Sequence, residues 1–455
     1  MEAMQTTETM EKTVQENGLY RDAFAALERG RRDEPAWLRW LREEAFSRFS
    51  ELGFPSAKVE AWKYTNTAPI AEKVWTPAPR SLAGDTLSER ALAPWRIPGA
   101  VEIVFVNGTF SKKHSRVPAA QAGVTVQSLA DLLTSSPEKA EAWIGKQTAG
   151  EVSAFASWNT AFFVDGAYVE IAPGAVVTTP VHLLFVTVQE NALVVSSPRV
   201  LVLAGARSQA TVVETYVGDG DAVSLTNAVT EISVGESAVL EHLKRQEESR
   251  SAYHVHAIET RQARGSGFTQ HNLTIGGLLA RTDLNTLFTG EGAECTLNGL
   301  FVGSRTQHLD NHTRIDHAQP HCSSRELYKG ILDGKARGVF HGTILVRKGA
   351  QKTDAMQTNK NLLLSREALV DSTPALEILA DDVKCRHGST IGQLDANALF
   401  YLRSRGIDEE HARSMLTYAF AADVAGRIKI PAIRSQIEKL LGLRFSQTRP
   451  EETSS

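Results

Sequence analysis

Glycine-centred turns recur along the middle of this chain at a nearly fixed interval, and that period constrains the fold more than any other feature. Pro173-Gly174-Ala175, Ala204-Gly205-Ala206, Val234-Gly235-Glu236, Arg264-Gly265-Ser266 and Glu291-Gly292-Ala293 place their glycines 31, 30, 30 and 27 residues apart. Between them lie short β-branched runs over 168–171, 181–188, 200–203, 211–217, 229–234, 237–240 and 253–260. These read as strands, and no helix longer than a turn is expected from about 158 to 392. A period of this length marks a stacked repeat, in which each coil buries its inner face only against its neighbours. The expectation is a β-solenoid with glycine at tight corners and alternate side chains pointing inward. An antiparallel sandwich with evenly spaced turns fits the same pattern.

The flanks differ in texture. All seven tryptophans (Trp37, Trp40, Trp62, Trp75, Trp95, Trp143 and Trp158) fall in the first third, which sets a boundary near 158. Phe24, Leu27, Trp37, Trp40, Leu41, Phe46 and Phe49 recur at helical spacing over 20–52, and Asp33-Glu34-Pro35 predicts an N-cap that divides this stretch into two helices. The aromatic and polar stretch 60–65 leads into a Pro-containing linker that runs to Pro98, then a strand over 101–106 and a helix near 129–143. Beyond Gly392 the helical period returns. Asp395 can cap a helix that stops at Gly406, Asp408 a second, and Pro431 can open a third. The division expected is 1–157 mainly helical, 158–392 solenoid, and 393–455 helical with a disordered tail over 449–455.

Composition narrows the function classes. The 455 residues carry 49 Lys+Arg against 53 Asp+Glu, a net charge of −4, so no basic nucleic-acid footprint exists. No run of about eighteen apolar residues is present to span a membrane. The acidic N-terminus lacks the features of a secretory or transit signal. Three cysteines, Cys295, Cys322 and Cys385, cannot form a disulfide framework, which favours a reducing, cytoplasmic setting. Sequons at Asn107, Asn272 and Asn311 are then chance matches.

Two constellations could carry chemistry. His308, Asp310, His312, Asp316, His317, His321 and Cys322 are candidate ligands for zinc or iron, but their spacing matches no metal fingerprint, and alternation along a strand would turn half of them away. Polar bonding between coils or at an interface is the competing role. In 380–388, an extended backbone puts Asp381, Val383, Cys385 and His387 on one face, with residues two apart separated by roughly 6.5–7 Å. A thiolate and an imidazole at that spacing can share one ion yet make only half of a four-ligand site, so the other donors must come from another chain or from substrate. Lys384 and Arg386 would favour thiolate if their charges reach it. The sequence Gly330-Ile331-Leu332-Asp333-Gly334-Lys335-Ala336 misses a phosphate loop by one residue between its glycines and by Ala336 in place of Ser/Thr. ATP hydrolysis by this chain is not expected, and no nucleophile–base pair is evident. The amide-rich run 357–361 reads as an Asn-rich turn or ladder entering a buried strand.

The runs DNHTRIDH, HCSSRELYKGILDGKARGVFHG, GAQKTDAMQTNKNLLLS, LEILADDVKCRHGSTIGQLD and LFYLRSRGI, within a likeness that covers about 158–410, closely resemble the SufB/SufD family of iron–sulfur cluster assembly proteins. A weaker likeness covers 60–65. Cysteine content and the short N-terminal region make the chain more similar to the SufD branch than to SufB. The resemblance implies a right-handed parallel β-helix between helical flanks, acting as a non-catalytic scaffold with SufB and the ATPase SufC. It implies no stably bound cofactor in the isolated chain, and a transient iron or nascent cluster site at His387 and Cys385 shared with SufB. It also implies SufC docking around Asp395, Leu399, Phe400, Tyr401, Arg403 and Arg405. A SufD homodimer is a further possibility. Competing classes are the SufB paralogue, a β-helix enzyme acting on polysaccharide or transferring acyl groups, and a metal-storage or metal-sensing protein using 308–322.

Overall fold

The computed structural model describes residues 20–78, 87–118, 122–146, 153–188, 193–221 and 223–446. The tail expected over 449–455 lies outside them. From Gly166 to Gly392 the chain winds as a parallel β-solenoid whose successive strands alternate between two sheets. One sheet stacks Gly166–Ile171, Arg199–Ala204, Ser224–Val234, Tyr253–Gln262, Leu279–Phe288, His308–His317, Arg337–Val346 and Leu369–Ile378. The other stacks Val181–Val188, Gln209–Asp219, Val239–Glu247, Gly267–Thr274, Glu294–Gly303, Ser323–Leu332, Asp354–Leu363 and Lys384–Gly392. The solenoid reading of the glycine period therefore holds, and the antiparallel sandwich is excluded by parallel pairing at every coil-to-coil step, as in Leu225↔Tyr253 and Asp354↔Lys384.

The period has a more specific cause than glycine content. One corner of each coil is a left-handed residue: Gly174, Arg207, Ser237, Gly265, Gly292, His321 and Lys352, with φ from 54 to 74°. Each donates its backbone N–H to the next coil, onto the carbonyls of Ala206, Glu236, Arg264, Glu291, Pro320, Gln351 and Asp382, at 2.7–3.2 Å. Gly205 and Gly235 are not at the left-handed position itself. They are glycine because a Cβ there would lie 2.7 Å from the backbone of the coil below. The strand expected over 237–240 correspondingly starts later, at Val239, because Ser237 is the corner.

The interior is apolar near the corner column and polar at mid-section. Ile232, Leu240, Ile258, Phe268, Leu284, Cys295, Ile315 and Phe340 belong to one buried cluster. Beside it, Glu214 accepts from Tyr216, Thr230 and His242, and Glu248 accepts from Thr226 and pairs with His254. Lys244 donates to Thr282 at 2.6 Å, and its ammonium is pushed down to about 7, chiefly by burial. Asn272 donates to Asn311 at 3.0 Å inside this mid-section, so neither sequon is accessible.

The two ends of the solenoid are unlike. At the first, Val101–Val106 adds in parallel to Val181–Val188 and is closed by antiparallel Thr109–Phe110, while Val124–Ser128 pairs antiparallel with Gly166–Ile171. At the other, Leu369–Ile378 and Lys384–Gly392 end their sheets, with no strand beyond them among the described residues. The first third thus contributes strands to both sheets, and the helix Ala154–Phe162 crosses the tryptophan boundary. Helices over 20–29 and Ala36–Leu52 stand where two were expected, but the N-cap is Pro35 and no side chain caps it; Glu34 binds Arg42 at 3.0 Å instead. The helix expected near 129–143 is split into Leu129–Ser135 and Pro137–Glu141. Within the expected linker, Thr76–Pro77 pairs with Val194–Ser196 and short helices form at Ala68–Ala71 and Glu89–Leu92. Asp395 and Asp408 cap Ala396–Ser404 and Glu409–Ala425 as anticipated, and Pro431 opens Pro431–Ser446.

Packing across the interior makes some glycines irreplaceable. A Cβ on Gly299 would sit 2.1 Å from the Tyr328 ring. Gly299→Ala is expected to cost about 1–3 kcal/mol through forced repacking, whereas Gly349→Ala, which meets nothing within 4 Å, should stay within about 0.5 kcal/mol. Urea midpoints of the two variants against the parent decide it.

Candidate functional site

The strand Lys384–Gly392 closes the second sheet, and its register fixes which residues look into the solenoid. Cys385 stands over Ala355, His387 over Gln357 and Ser389 over Asn359. Ala355, Gln357 and Asn359 are buried inner-face residues, so Cys385, His387 and Ser389 line the mouth of the solenoid rather than its outer wall. Cys385 packs with Leu376 and Val383 against Ile344, Val346 and Ala355. His387 is exposed above Gln357. Ser372 Oγ, on the facing edge strand, lies 2.8 Å from Ser389 Oγ and donates to Asn359 Oδ1 at 2.8 Å.

Cys385 and His387 therefore share a face, as the spacing anticipated. Burial pushes the Cys385 thiol up, with a backbone bond from Ala355 opposing and Asp354 adding to the rise. Lys384 and Arg386, on the opposite face, are not among the causes, so the thiolate assistance weighed from sequence is not found. Among the described residues no group of three or more His, Cys, Asp or Glu side chains is arranged to hold a metal ion. A thiol and an imidazole at an open edge suit iron or a nascent cluster in donor chemistry, and they leave room for donors from outside the chain.

The 308–322 constellation resolves into separate structural roles. His308, Asp310 and His312 lie on the outer face, where 60–65 docks. Thr65 Oγ1 donates to Asp310 Oδ2 at 2.5 Å and lies 2.8 Å from His308 Nε2. Arg281 donates to Asp310 at 2.7 Å, to Asp283 at 2.7 and 2.9 Å and to the Ala61 carbonyl at 2.7 Å, with its guanidinium 3.8 Å from the Trp62 ring centre. Burial would push the Asp310 carboxyl up, yet His312 and Arg281 beside it, with the bonds from His312 and Thr65, hold it well below the usual carboxylate range. Asp316 binds Arg347, His317 turns inward to Ser324 at 2.9 Å, His321 is the left-handed corner, and Cys322 is buried next to it. Alternation along the strand separates these groups, as anticipated, and the polar-bonding role is the one observed.

Other sequence readings find their places. Gly330 lies within the strand Ser323–Leu332, and Gly334 is a turn with φ 65°, leading into another strand rather than the helix a phosphate loop requires. Gln357, Asn359 and Asn361 form an inward amide row, with Asn359 donating to the Tyr328 carbonyl. In the C-terminal helices Asp395 is engaged as a cap, Leu399 is half-buried, Arg403 pairs with Glu409, and Arg405 lies over the Tyr401 ring. Phe400 and Tyr401 are 73% and 58% exposed, on a helix with no buried residue. A cleft of about 300 Å³, lined by Thr390, Ile391, Asp395, Leu416 and Phe420, joins the edge strand to these helices. The residue that sequence reasoning missed is Glu326, in the same inner column as Gln357 and His387. Its signal was present: 326, 357 and 387 repeat at the coil period.

Comparison with known proteins identifies the family. Residues 185–420 match the model of the SUF system FeS cluster assembly, SufBD core domain, and residues 10–183 match the SufBD protein N-terminal region. The chain is 30% identical over 413 residues to an iron–sulfur cluster assembly SufBD family protein of a Synechocystis species, covering 89% of this chain and 90% of that protein. It is 30% identical to the iron–sulfur cluster assembly protein SufD of Escherichia coli, covering 86% and 90%, and 25% identical to SufD of Bacillus subtilis, covering 90% and 94%.

Removing one partner from the buried clasp should be costly. Asp310→Asn is expected to destabilise by about 2–4 kcal/mol, whereas Asp354→Asn, which breaks an exposed pair with Arg325, should cost under about 1 kcal/mol. A depressed carboxyl stabilises fully above its unfolded pKa of about 4 and loses that contribution only as pH falls toward its folded value. Unfolding curves of parent and Asp310→Asn should therefore stay apart at neutral pH and converge in strong acid.

Proposed function

The chain belongs to the SufBD family of SUF-system iron–sulfur cluster assembly proteins, and from that premise we propose that it is the SufD-type scaffold subunit, working with SufB and the ATPase SufC in iron entry and nascent cluster formation. The observation that carries this reading is the open end of the solenoid. Two parallel sheets stop there with edges that no described strand pairs, and the half-buried thiol Cys385 and the imidazole His387 point into the mouth.

An exposed sheet edge is a template for pairing with another chain. SufB is the partner we place on it, because a related solenoid brings edge strands of its own and can supply the missing donors. A second copy of this chain could dock in the same way but would add only a second Cys385 and His387. Iron or the growing cluster is cargo here, held across the seam and passed on, with no cofactor resident in the isolated chain.

The three units proposed, 1–157, 158–392 and 393–455, divide the work. The first caps one end of the solenoid, the second presents the mouth, and the third receives SufC on the exposed face around Phe400 and Tyr401, with Leu399, Arg403, Arg405 and the capped turn at Asp395 beside it. The cleft between this helix and the edge strand gives SufC a short mechanical route to the mouth. The chain itself catalyses no reaction, and ATP is hydrolysed by SufC. Its three cysteines are free thiols, in keeping with a reducing cytoplasm.

Co-expression of His387→Ala with SufB and SufC tests the reading. The expected result is an intact three-protein complex with a several-fold loss of assembled cluster, measured by absorbance and by iron and sulfide content. Normal cluster yield in an intact complex would overturn it.

A further inference from the structure

The column that carries His387 continues beneath it. His387 stands on Gln357 and Gln357 on Glu326, which at about 4.8 Å per coil puts Glu326 roughly 10 Å below the mouth. Gln357 Nε2 donates to Glu326 Oε2 at 2.7 Å, and the chain opposite is glycine because a Cβ on Gly342 would lie 2.3 Å from that Nε2. Glu326 is buried, and its Oε1 makes no hydrogen bond of ordinary length. The titratable groups that face it are Tyr328 and Cys295, both kept neutral by burial, and no cationic side chain is near enough to affect it. Burial raises the carboxyl to about 7, with Thr313 and Gln357 opposing.

A carboxyl in this position cannot be indifferent to charge arriving at the mouth. Gln357 and Glu326 are buried, so a doubly charged ion two coils away acts on Glu326 with less screening than between two groups in bulk water. We propose that Glu326 is the proton-exchanging carboxyl of the mouth, losing the proton of its O–H bond to bulk water when a divalent cation is captured at Cys385 and His387, and regaining one when the cation leaves. The electron pair of that bond stays on the carboxylate, whose negative charge then holds the cation. The sign follows from the raised value: the free protein keeps Glu326 largely protonated below neutral pH, the cation lowers that value, and release is greatest between the two. Cys385 loses its own thiol proton on ligation, so two groups contribute.

This role rests on the mouth being a cation site, and the experiment separates the two claims. The full-length chain in complex with SufB and SufC is titrated with cobalt(II) in weakly buffered solution near pH 6.5, with proton release followed by an indicator dye. The parent complex should release up to one more proton per cobalt than Glu326→Gln, and the difference should vanish above pH 8.5, where Glu326 is already ionised. Equal release from parent and Glu326→Gln, with cobalt still bound at the site, would overturn the role of Glu326. Equal cobalt binding by parent and His387→Ala would instead overturn the site. Should Glu326→Gln fail to fold, infrared difference spectra of the parent decide: cobalt must remove a protonated-carboxyl band, and an unchanged band contradicts the proposal.

Discussion

Each coil is held to the next by a backbone N–H at a left-handed corner, donated to a carbonyl one turn further on, from Gly174 to Asp382. Everything else in the solenoid depends on this column. Successive corners lie 27 to 33 residues apart, so coils of unequal length are brought back into one register, and that register decides which side chains stack upon one another through the interior. Non-glycine residues occupy the corner at Arg207, Ser237, His321 and Lys352. L-residues adopt that conformation only at some cost, which the stacked bond and the parallel ladders on both sides offset. One slip in the corner register would turn inward columns outward, exposing Phe268 or burying Arg325.

That register links fold to function. The inward column that ends at His387 runs through Val212, His242, Gln270, Leu297, Glu326 and Gln357, polar at most of its steps and exposed only at its last, and its neighbour ends in Cys385. The closed end shows the contrast: antiparallel strands cover it, and its inner residues Ile103, Ala167, Val169 and Leu183 are apolar.

How much of this was legible in the sequence depended on whether the signal was local or periodic. Helix caps at Asp395 and Asp408 and the strands at 101–106 and 181–188 rest on neighbouring residues and were readable directly. The solenoid was readable because its corners recur, although counting glycines located only part of the corner column, since steric clearance at Gly205 and the left-handed turn at Arg207 are different requirements two residues apart. The shared face of Cys385 and His387 followed from alternation, whereas Glu326 needed the coil period applied to inward positions. Arg281 and Asp310 stand one coil apart in register, but the clasp they form with Thr65 was not readable, because Thr65 lies more than two hundred residues away with no common spacing.

On the proposed function, the end carrying Cys385 and His387 is open in the isolated chain and covered in the assembly. Amide hydrogen exchange tests it most directly, comparing the chain alone with the chain bound to SufB and SufC. Strong new protection is expected in Leu369–Ile378 and Lys384–Gly392 on assembly, with strands deep in the solenoid such as Gly267–Thr274 unchanged. Equal exchange of the two edge strands in both states would contradict it.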